Sequence, residues 1–248
     1  VDLTNTMLGL FHYLRGTRHP WPSFCFLLPL LLAYEGGVLW LGGEQSDSLR
    51  NGADSWMRWV LESAGMYQLG WPPLLVGLFF LIWSVWRFGD RPDGMVSLFT
   101  GMTIESAVLA LALWWLGFSL VPLMNHYGVE LAVPTAPNQA LGHIISFVGA
   151  GIYEEVLFRL LLFTALVWFL RWVWFPTPLA VVVAAVGSGA FFSYAHHMGP
   201  HGEPFDNYVF LFRLIAGVYF AMVYRLRGFG VAVGTHALYD VLVGVAIG

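Results

Sequence analysis

The stretch "GIYEEVLFRLLLF", residues 151–163, sets Glu154, Glu155 and Arg159 inside an otherwise apolar run. A charge at the centre of a bilayer costs about 3 kcal/mol even on lenient insertion scales, so three of them there need a reason. The rest of the chain decides where this run lies. Of 248 residues, 58% are hydrophobic and only 10% are charged, against about 25% charged in a soluble domain. Mean hydropathy is +0.70. The chain reads as an integral membrane protein, and its 12 tryptophans suit two membrane interfaces, where the indole ring prefers headgroup depth.

A helix needs about 20 apolar residues to cross a bilayer. Seven stretches qualify: 22–41, 71–87, 96–121, 139–170, 179–197, 208–226 and 229–247. The fourth is long enough for a tilted helix, or for a short amphipathic helix followed by a span. The expected fold class is therefore an all-α polytopic transmembrane helical bundle of seven to eight spans. Residues 42–70 carry an amphipathic middle, "SWMRWVLESAGMY", which predicts an interfacial helix anchored by Trp56 and Trp59. "FGDRPDG" (88–94) predicts a tight polar turn, and "NHYGVELAVPTAPNQ" and "HMGPHGEPFDN" predict loops. There is no internal repeat or low-complexity tract, so one membrane domain is expected over 1–248. Within it, 1–138 lacks a recognised motif and 139–248 bears the motifs.

All basic residues are arginines. With the N-terminus inside, Arg15, Arg18, Arg87, Arg91, Arg171, Arg225 and Arg227 fall on the cytoplasmic side and only Arg50 and Arg58 outside, which favours N-in and C-out. The first dozen residues lack the basic and apolar regions of a secretory signal, and a start at Val suggests a trimmed terminus. The net charge of −4 with scattered arginines argues against a nucleic-acid partner. One cysteine, Cys25, allows neither an internal disulfide nor a cysteine zinc site.

Intramembrane ionisable groups mark function by default. Glu155 and Arg159 stand at i,i+4, in the order that favours pairing. Glu154 is rotated by about 100° from Glu155, which leaves it free to face a polar cavity. Phe192 and His196 share a helix face in "FFSYAHHMGPHG", and His236 and Asp240 share one in "GTHALYD". Arg213 is expected to pair with a glutamate of the fourth span, and Gly217 to allow close helix approach. Glu35 is expected near the outer interface, where water can solvate it. Glu105 either pairs with Arg213 or lines the cavity. His143, His197 and His201 read as interfacial or loop residues.

In order, Glu154-Glu155-x-x-x-Arg159, Phe192-x-x-x-His196 and His236-x-x-x-Asp240 resemble the CPBP family of intramembrane proteins, which includes the CAAX prenyl endopeptidases and bacterial Abi-type proteins. The resemblance covers about 140–245. It implies an intramembrane endopeptidase in which Glu154 activates water and His196 helps to position it. His236 and Asp240 face the developing oxyanion, and Glu155, Arg159, Phe192 and Arg213 organise the site. An ionised Asp240 cannot donate to an oxyanion, so His236 is expected to donate, with Asp240 orienting it.

No cofactor and no metal are expected. A zinc reading stays open through Glu154, His196 and His236, although no His-Glu-x-x-His pattern supports it. The expected partners are membrane lipid and a peptide or protein substrate, lipidated or not. The expected location is the bacterial cytoplasmic membrane. The alternatives are a non-proteolytic scaffold or immunity protein of the same fold, and a proton-coupled transporter. The missing inverted repeat counts against the transporter.

Overall fold

The computed structural model describes residues 3–67, 70–126, 140–199 and 202–246. Helices account for all regular structure among them: α1 (Leu3–Gly16), α2 (Pro20–Gly42), α3 (Gly52–Ser63), α4 (Trp71–Trp86), α5 (Met95–His126), α6 (Ala140–Glu155), α7 (Thr164–Trp172), α8 (Thr177–Ala195), α9 (Asn207–Arg227) and α10 (Phe229–Val241). A π-helical stretch, Val156–Phe163, joins α6 to α7 without a break, and a second, Leu242–Ala246, extends α10. Residues 127–139, within the stretch expected to be a loop, His201 and the last two residues lie outside the described residues.

The helical runs α2, α4, α5, α6–α7, α8, α9 and α10 coincide with the seven stretches read from hydropathy. Four meet the length and composition of a membrane span on their own: Pro20–Gly42, Met95–Leu120, Thr177–Ala195 and Asn207–Arg227. Trp71–Trp86 and Phe229–Gly244 are apolar but shorter. The fourth stretch is one continuous helix, not a short helix followed by a separate span. Helix α1 was not foreseen; its 14 residues reach only about 21 Å, short of the roughly 30 Å hydrocarbon core.

Local chemistry sets the helix starts. Asn51 accepts the Asp54 N–H at 2.9 Å to cap α3, and Asp206 accepts the Val209 N–H at 2.8 Å to cap α9. Proline in the first turn of α2, α4 and α8 sits where no N–H is needed. The 88–94 turn is a short 3₁₀ helix, Phe88–Asp90, followed by Gly94 at φ 69°.

Helix α10 lies at the centre, against α2, α5, α6 and α9. Its run "FGVAVGTHA" is buried throughout, and small residues are what allow helices on several sides to close on it. A Cβ on Gly151 would stand 2.8 Å from the Ala237 backbone N, so α6 and α10 meet almost backbone to backbone. Gly217 and Gly189 do the same for α9 and α8: a Cβ on Gly217 would lie 2.6 Å from the Gly189 Cα. The close approach expected at Gly217 is present.

The amphipathic middle of 42–70 is helix α3, with Trp59 exposed. Arg50 and Arg58 are not loop cations but members of a buried network. Asp54, with no exposed surface, accepts from Arg50 Nη1 at 2.8 Å, Arg58 Nε at 2.8 Å and Tyr34 OH at 2.9 Å. Glu35 completes it. Instead of being solvated, Glu35 faces Arg50 at 3.3 Å and Arg58 at 3.5 Å, and accepts from the Tyr153 hydroxyl at 2.8 Å. Glu105 binds neither Arg213 nor the cavity: it pairs with Arg227 and accepts from Tyr13 OH at 2.6 Å. The network locks α3 and α2 to the turn of α6 that precedes Glu154.

Asp54→Ala removes the shortest carboxylate contact of two buried guanidinium groups and is expected to destabilise by about 3–5 kcal/mol. Glu35→Gln, which keeps Asp54, is expected to lose about 1–3 kcal/mol. Unfolding of the full chain in detergent micelles measures both, and an equal loss would remove Asp54 from its central place.

Candidate active site

Four elements bring the motif residues together. Glu154 and Glu155 end α6, His196 closes α8 and His236 and Asp240 stand one turn apart on α10, while Phe220 and Gly217 on α9 line the back. Helix ends and a π turn make up much of the site. Val156–Phe163 follows directly on the two glutamates, and π turns of this kind recur at functional sites because they re-aim side chains within a helix. Thr164 accommodates the altered register by donating its hydroxyl to the Arg159 carbonyl at 3.0 Å.

Glu155 is fully buried and has two partners. Its Oε1 lies 2.8 Å from His236 Nδ1, and its Oε2 lies 3.3 Å from Arg159 Nε. The expected Glu155–Arg159 pair is therefore present, and Glu155 also holds His236. Asp240 also lies beside His236, its Oδ2 3.5 Å from Nε2 on the opposite edge of the ring. Glu155 meets Nδ1 across the α6–α10 contact that Gly151 permits.

Arg159, 1% exposed, sits among rings. Its guanidinium carbon lies 4.4 Å from the Phe192 ring centroid and 5.2 Å from that of Phe220, and Nη2 donates to the Gly217 carbonyl at 3.4 Å. Aromatic faces attract a cation, more strongly where water is absent. Phe192 also meets His196 and His236 edge-on, with centroids 4.9 and 5.9 Å away. Phe220 stacks flat on His236 at 4.3 Å and 16°. Phe220 belongs to no motif read from the sequence; its place on α9, one turn after Gly217, is the only signal that could have pointed to it.

His196 is held differently. Its Nδ1 is 2.8 Å from the Phe192 carbonyl oxygen, and since a carbonyl only accepts, Nδ1 carries the proton and Nε2 presents a lone pair. That lone pair lies 3.9 Å from Glu154 Oε2. The same Glu154 oxygen is 3.7 Å from His236 Nε2. Glu154, partly exposed, thus stands between the two imidazoles at distances too long for direct hydrogen bonds and suited to one shared water at about 2.8 Å from each. Among the described residues, no group of three or more His, Cys, Asp or Glu side chains is arranged to hold a metal ion.

Arg213 is not paired with a glutamate of the fourth span. It grips Glu203 in a two-pronged pair at 2.8 and 2.9 Å. The Glu203 backbone N–H donates to the His196 carbonyl at 2.9 Å, and Ser193 Oγ donates to the Phe210 carbonyl at 2.7 Å, so Arg213 steadies the end of α8 through the strap that follows it. The Arg213 guanidinium beside Glu203 holds that carboxyl below its ordinary range. His197 packs on Phe205 and Phe210, and His143 on Phe147; neither meets Glu154. Asp240 lies beside the Nε2 edge of His236, while Glu35 and Glu105 lie outside the site.

Residues 136–242, a little under half of the chain, match the family model described as Type II CAAX prenyl endopeptidase Rce1-like. No curated protein and no solved structure matches significantly. The matched segment spans Glu154, Glu155, Arg159, Phe192, His196, His236 and Asp240.

Arg159→Met leaves Glu155 buried with half its charge balance, and we expect a loss of about 3–5 kcal/mol, read from unfolding in micelles. The Glu203–Arg213 pair sets a pH window. Because the folded Glu203 carboxyl titrates below its ordinary value near 4.5, its contribution is complete above that value and is lost as pH falls through the lowered one. Amide hydrogen exchange within 202–206, corrected for its intrinsic pH dependence, should therefore rise only at the acidic end of a pH series. Glu203→Gln should make that corrected exchange equally fast at all pH values.

Proposed function

We propose that this chain, a member of the CAAX-protease family through residues 136–242, hydrolyses a peptide bond within the membrane using a water activated by Glu154. The observation that supports this most directly is the convergence of Glu154 Oε2 on His196 Nε2 at 3.9 Å and on His236 Nε2 at 3.7 Å, from three separate helices. A scaffold has no chemical need for that convergence.

A water between Glu154 and His196 would donate one proton to the carboxylate and the other to the His196 lone pair. Its own lone pair would then point at the scissile carbonyl. Glu154 takes the proton as the C–O bond forms, which makes it the general base, and returns it to the departing amine as the C–N bond breaks. The developing oxyanion needs a donor, and His236 Nε2 is the group placed for it. Since Nδ1–H donates to Glu155, donation from Nε2 requires both ring nitrogens to be protonated in the reacting state, with Glu155 as the counter-ion. Stacking on Phe220 keeps that ring in plane. Asp240, beside the same nitrogen, would limit where the oxyanion can sit. No metal takes part in this reading. The substrate is a membrane-embedded peptide, and a prenylated C-terminal segment is the form that the family description suggests.

The test is cleavage of a fluorogenic peptide ending in a farnesylated cysteine box, beside its unmodified counterpart, by the purified full chain in micelles. Glu154→Gln is expected to lower kcat by about 10²- to 10⁴-fold with unchanged unfolding temperature. His236→Ala is expected to lower kcat as much while also lowering the unfolding temperature, because buried Glu155 loses one of its two partners. If both variants retain wild-type cleavage, the proposal is wrong. Wild-type cleavage of the prenylated peptide but not of its unmodified counterpart would mean that the lipid takes part in substrate recognition.

A further inference from the structure

We propose that the end of the bundle opposite the candidate active site holds a binding site for a phosphate-bearing anion, the headgroup of an anionic phospholipid. A cavity of about 910 Å³ lies there, lined by Arg15 and Arg18 at the α1–α2 turn, Arg87 and Arg91 at the α4–α5 turn, and Arg227 at the end of α9. Three chain segments far apart in sequence therefore deliver five guanidinium groups to one concavity, against two lining carboxylates, Asp90 and Asp93. A smaller cavity, lined by Arg18, Arg225 and Tyr224 among others, shares Arg18, Pro20 and Trp83 with it.

The charges are not spent on one another. Arg227 is paired with Glu105, and Arg87 faces Asp90 at 3.2 Å on the surface. Arg91 lies over the Phe88 ring at 4.5 Å. Arg15 and Arg18 make no ion pair with any described residue. Forked guanidinium groups match the oxygens of phosphates and carboxylates, and several around one cavity exceed what a single carboxylate can use but suit a phosphate with its several oxygens.

The walls are built independently of any ligand. His19 Nδ1 accepts the Trp21 N–H at 3.1 Å, so its Nε2–H donates to the Arg87 carbonyl at 3.0 Å and pins the start of α2 to the end of α4. Arg227 Nη1 donates to the Leu14 carbonyl at 3.3 Å, and the Tyr13–Glu105 bond ties α1 to α5. Gly228, at φ 94°, lets the α9–α10 turn press on the Thr17 carbonyl, where a Cβ would stand at 2.7 Å.

The remaining wall distinguishes a lipid from a soluble phosphate. Phe11, Leu14, Trp83 and Leu226 face the same cavity, and Phe11 and Leu226 are more than half exposed. A basic concavity with an apolar rim fits a headgroup that carries acyl chains. This is also the end where arginine concentrates, which the positive-inside rule assigns to the cytoplasm, the side whose leaflet carries anionic lipid.

The experiment uses the full chain in micelles, offered phosphatidylglycerol and phosphatidylcholine in equal amounts. Native mass spectrometry reads the retained lipid, and a parallel unfolding series contains inorganic phosphate up to millimolar levels. Wild type should retain phosphatidylglycerol preferentially. Arg15→Gln/Arg18→Gln should lose about 30-fold of that preference, the effect of two arginines near an anionic headgroup, with peptide cleavage in micelles unchanged. Arg171→Gln, at the same end but outside the cavity, should lose nothing. If inorganic phosphate alone protects wild type and not the double variant, the same arginines serve a soluble phosphate. If the double variant keeps the preference and phosphate has no effect, or if Arg171→Gln loses as much as the double variant, the site is refuted.

Discussion

A carboxylate with no exposed surface must find its charge balance inside the protein, and Glu155 does so with one oxygen on each of two cations-in-waiting. Oε2 faces Arg159 one turn along its own helix; Oε1 holds His236 on α10. Removing either partner exposes the other to an uncompensated charge, and leaving one buried charge unpaired is far costlier than never having buried the pair. Arg159 in turn could not remain so deep without Phe192 and Phe220, whose faces stand where water would otherwise be. The same two rings then contact His236 and, for Phe192, His196. One buried ion pair thus dictates the position of both imidazoles.

That arrangement demands close helices. Glu155 reaches Nδ1 of His236 because Gly151 lets α6 lie against the backbone of α10, and Arg159 reaches the Gly217 carbonyl where Gly217 and Gly189 let α9 and α8 touch. In lipid, apolar side chains gain little by leaving acyl chains for one another, so association depends on such packing and on satisfied polar groups. The network of Glu35, Arg50, Asp54, Arg58, Tyr34 and Tyr153 supplies the second of these for the N-terminal half. Tyr153 directly precedes Glu154, so helices that carry no motif still set the pose of the motif carboxylate.

Much of this was legible in the sequence, and the boundary of what was legible is physical. Periodicity and hydropathy depend on neighbours along the chain, so the seven apolar stretches, the i,i+4 pair of Glu155 and Arg159 and the tight contact at Gly217 could all be read. Pairing between helices depends on which faces meet, and there the reading failed. Arg213 chose Glu203 across a loop, Glu105 chose Arg227, and Glu35 was enclosed by two arginines that seemed to be loop cations. The π turn left no mark in residue types, and α1 is too short and mixed for hydropathy to register. The His236–Asp240 neighbourhood, one turn along a helix, could be read, but proximity along a helix does not say which edge of a ring a carboxylate meets, nor that Glu155 would meet the other edge.

The two histidines show why that edge matters. Both are anchored through Nδ1 and both turn Nε2 towards Glu154, yet their anchors differ in charge. The Phe192 carbonyl can only accept a proton it does not keep, so His196 is left with a lone pair on Nε2, the right tool for holding a water by its hydrogen. The Glu155 carboxylate also accepts from Nδ1, but it carries a full charge that can neutralise an imidazolium. In the proposed mechanism it is therefore His236 that holds protons on both nitrogens and meets the developing negative charge. An acceptor and a donor on opposite sides of one carboxylate are what the proposed hydrolysis requires. In this chain the difference between them comes down to whether a backbone carbonyl or a buried glutamate stands behind each ring.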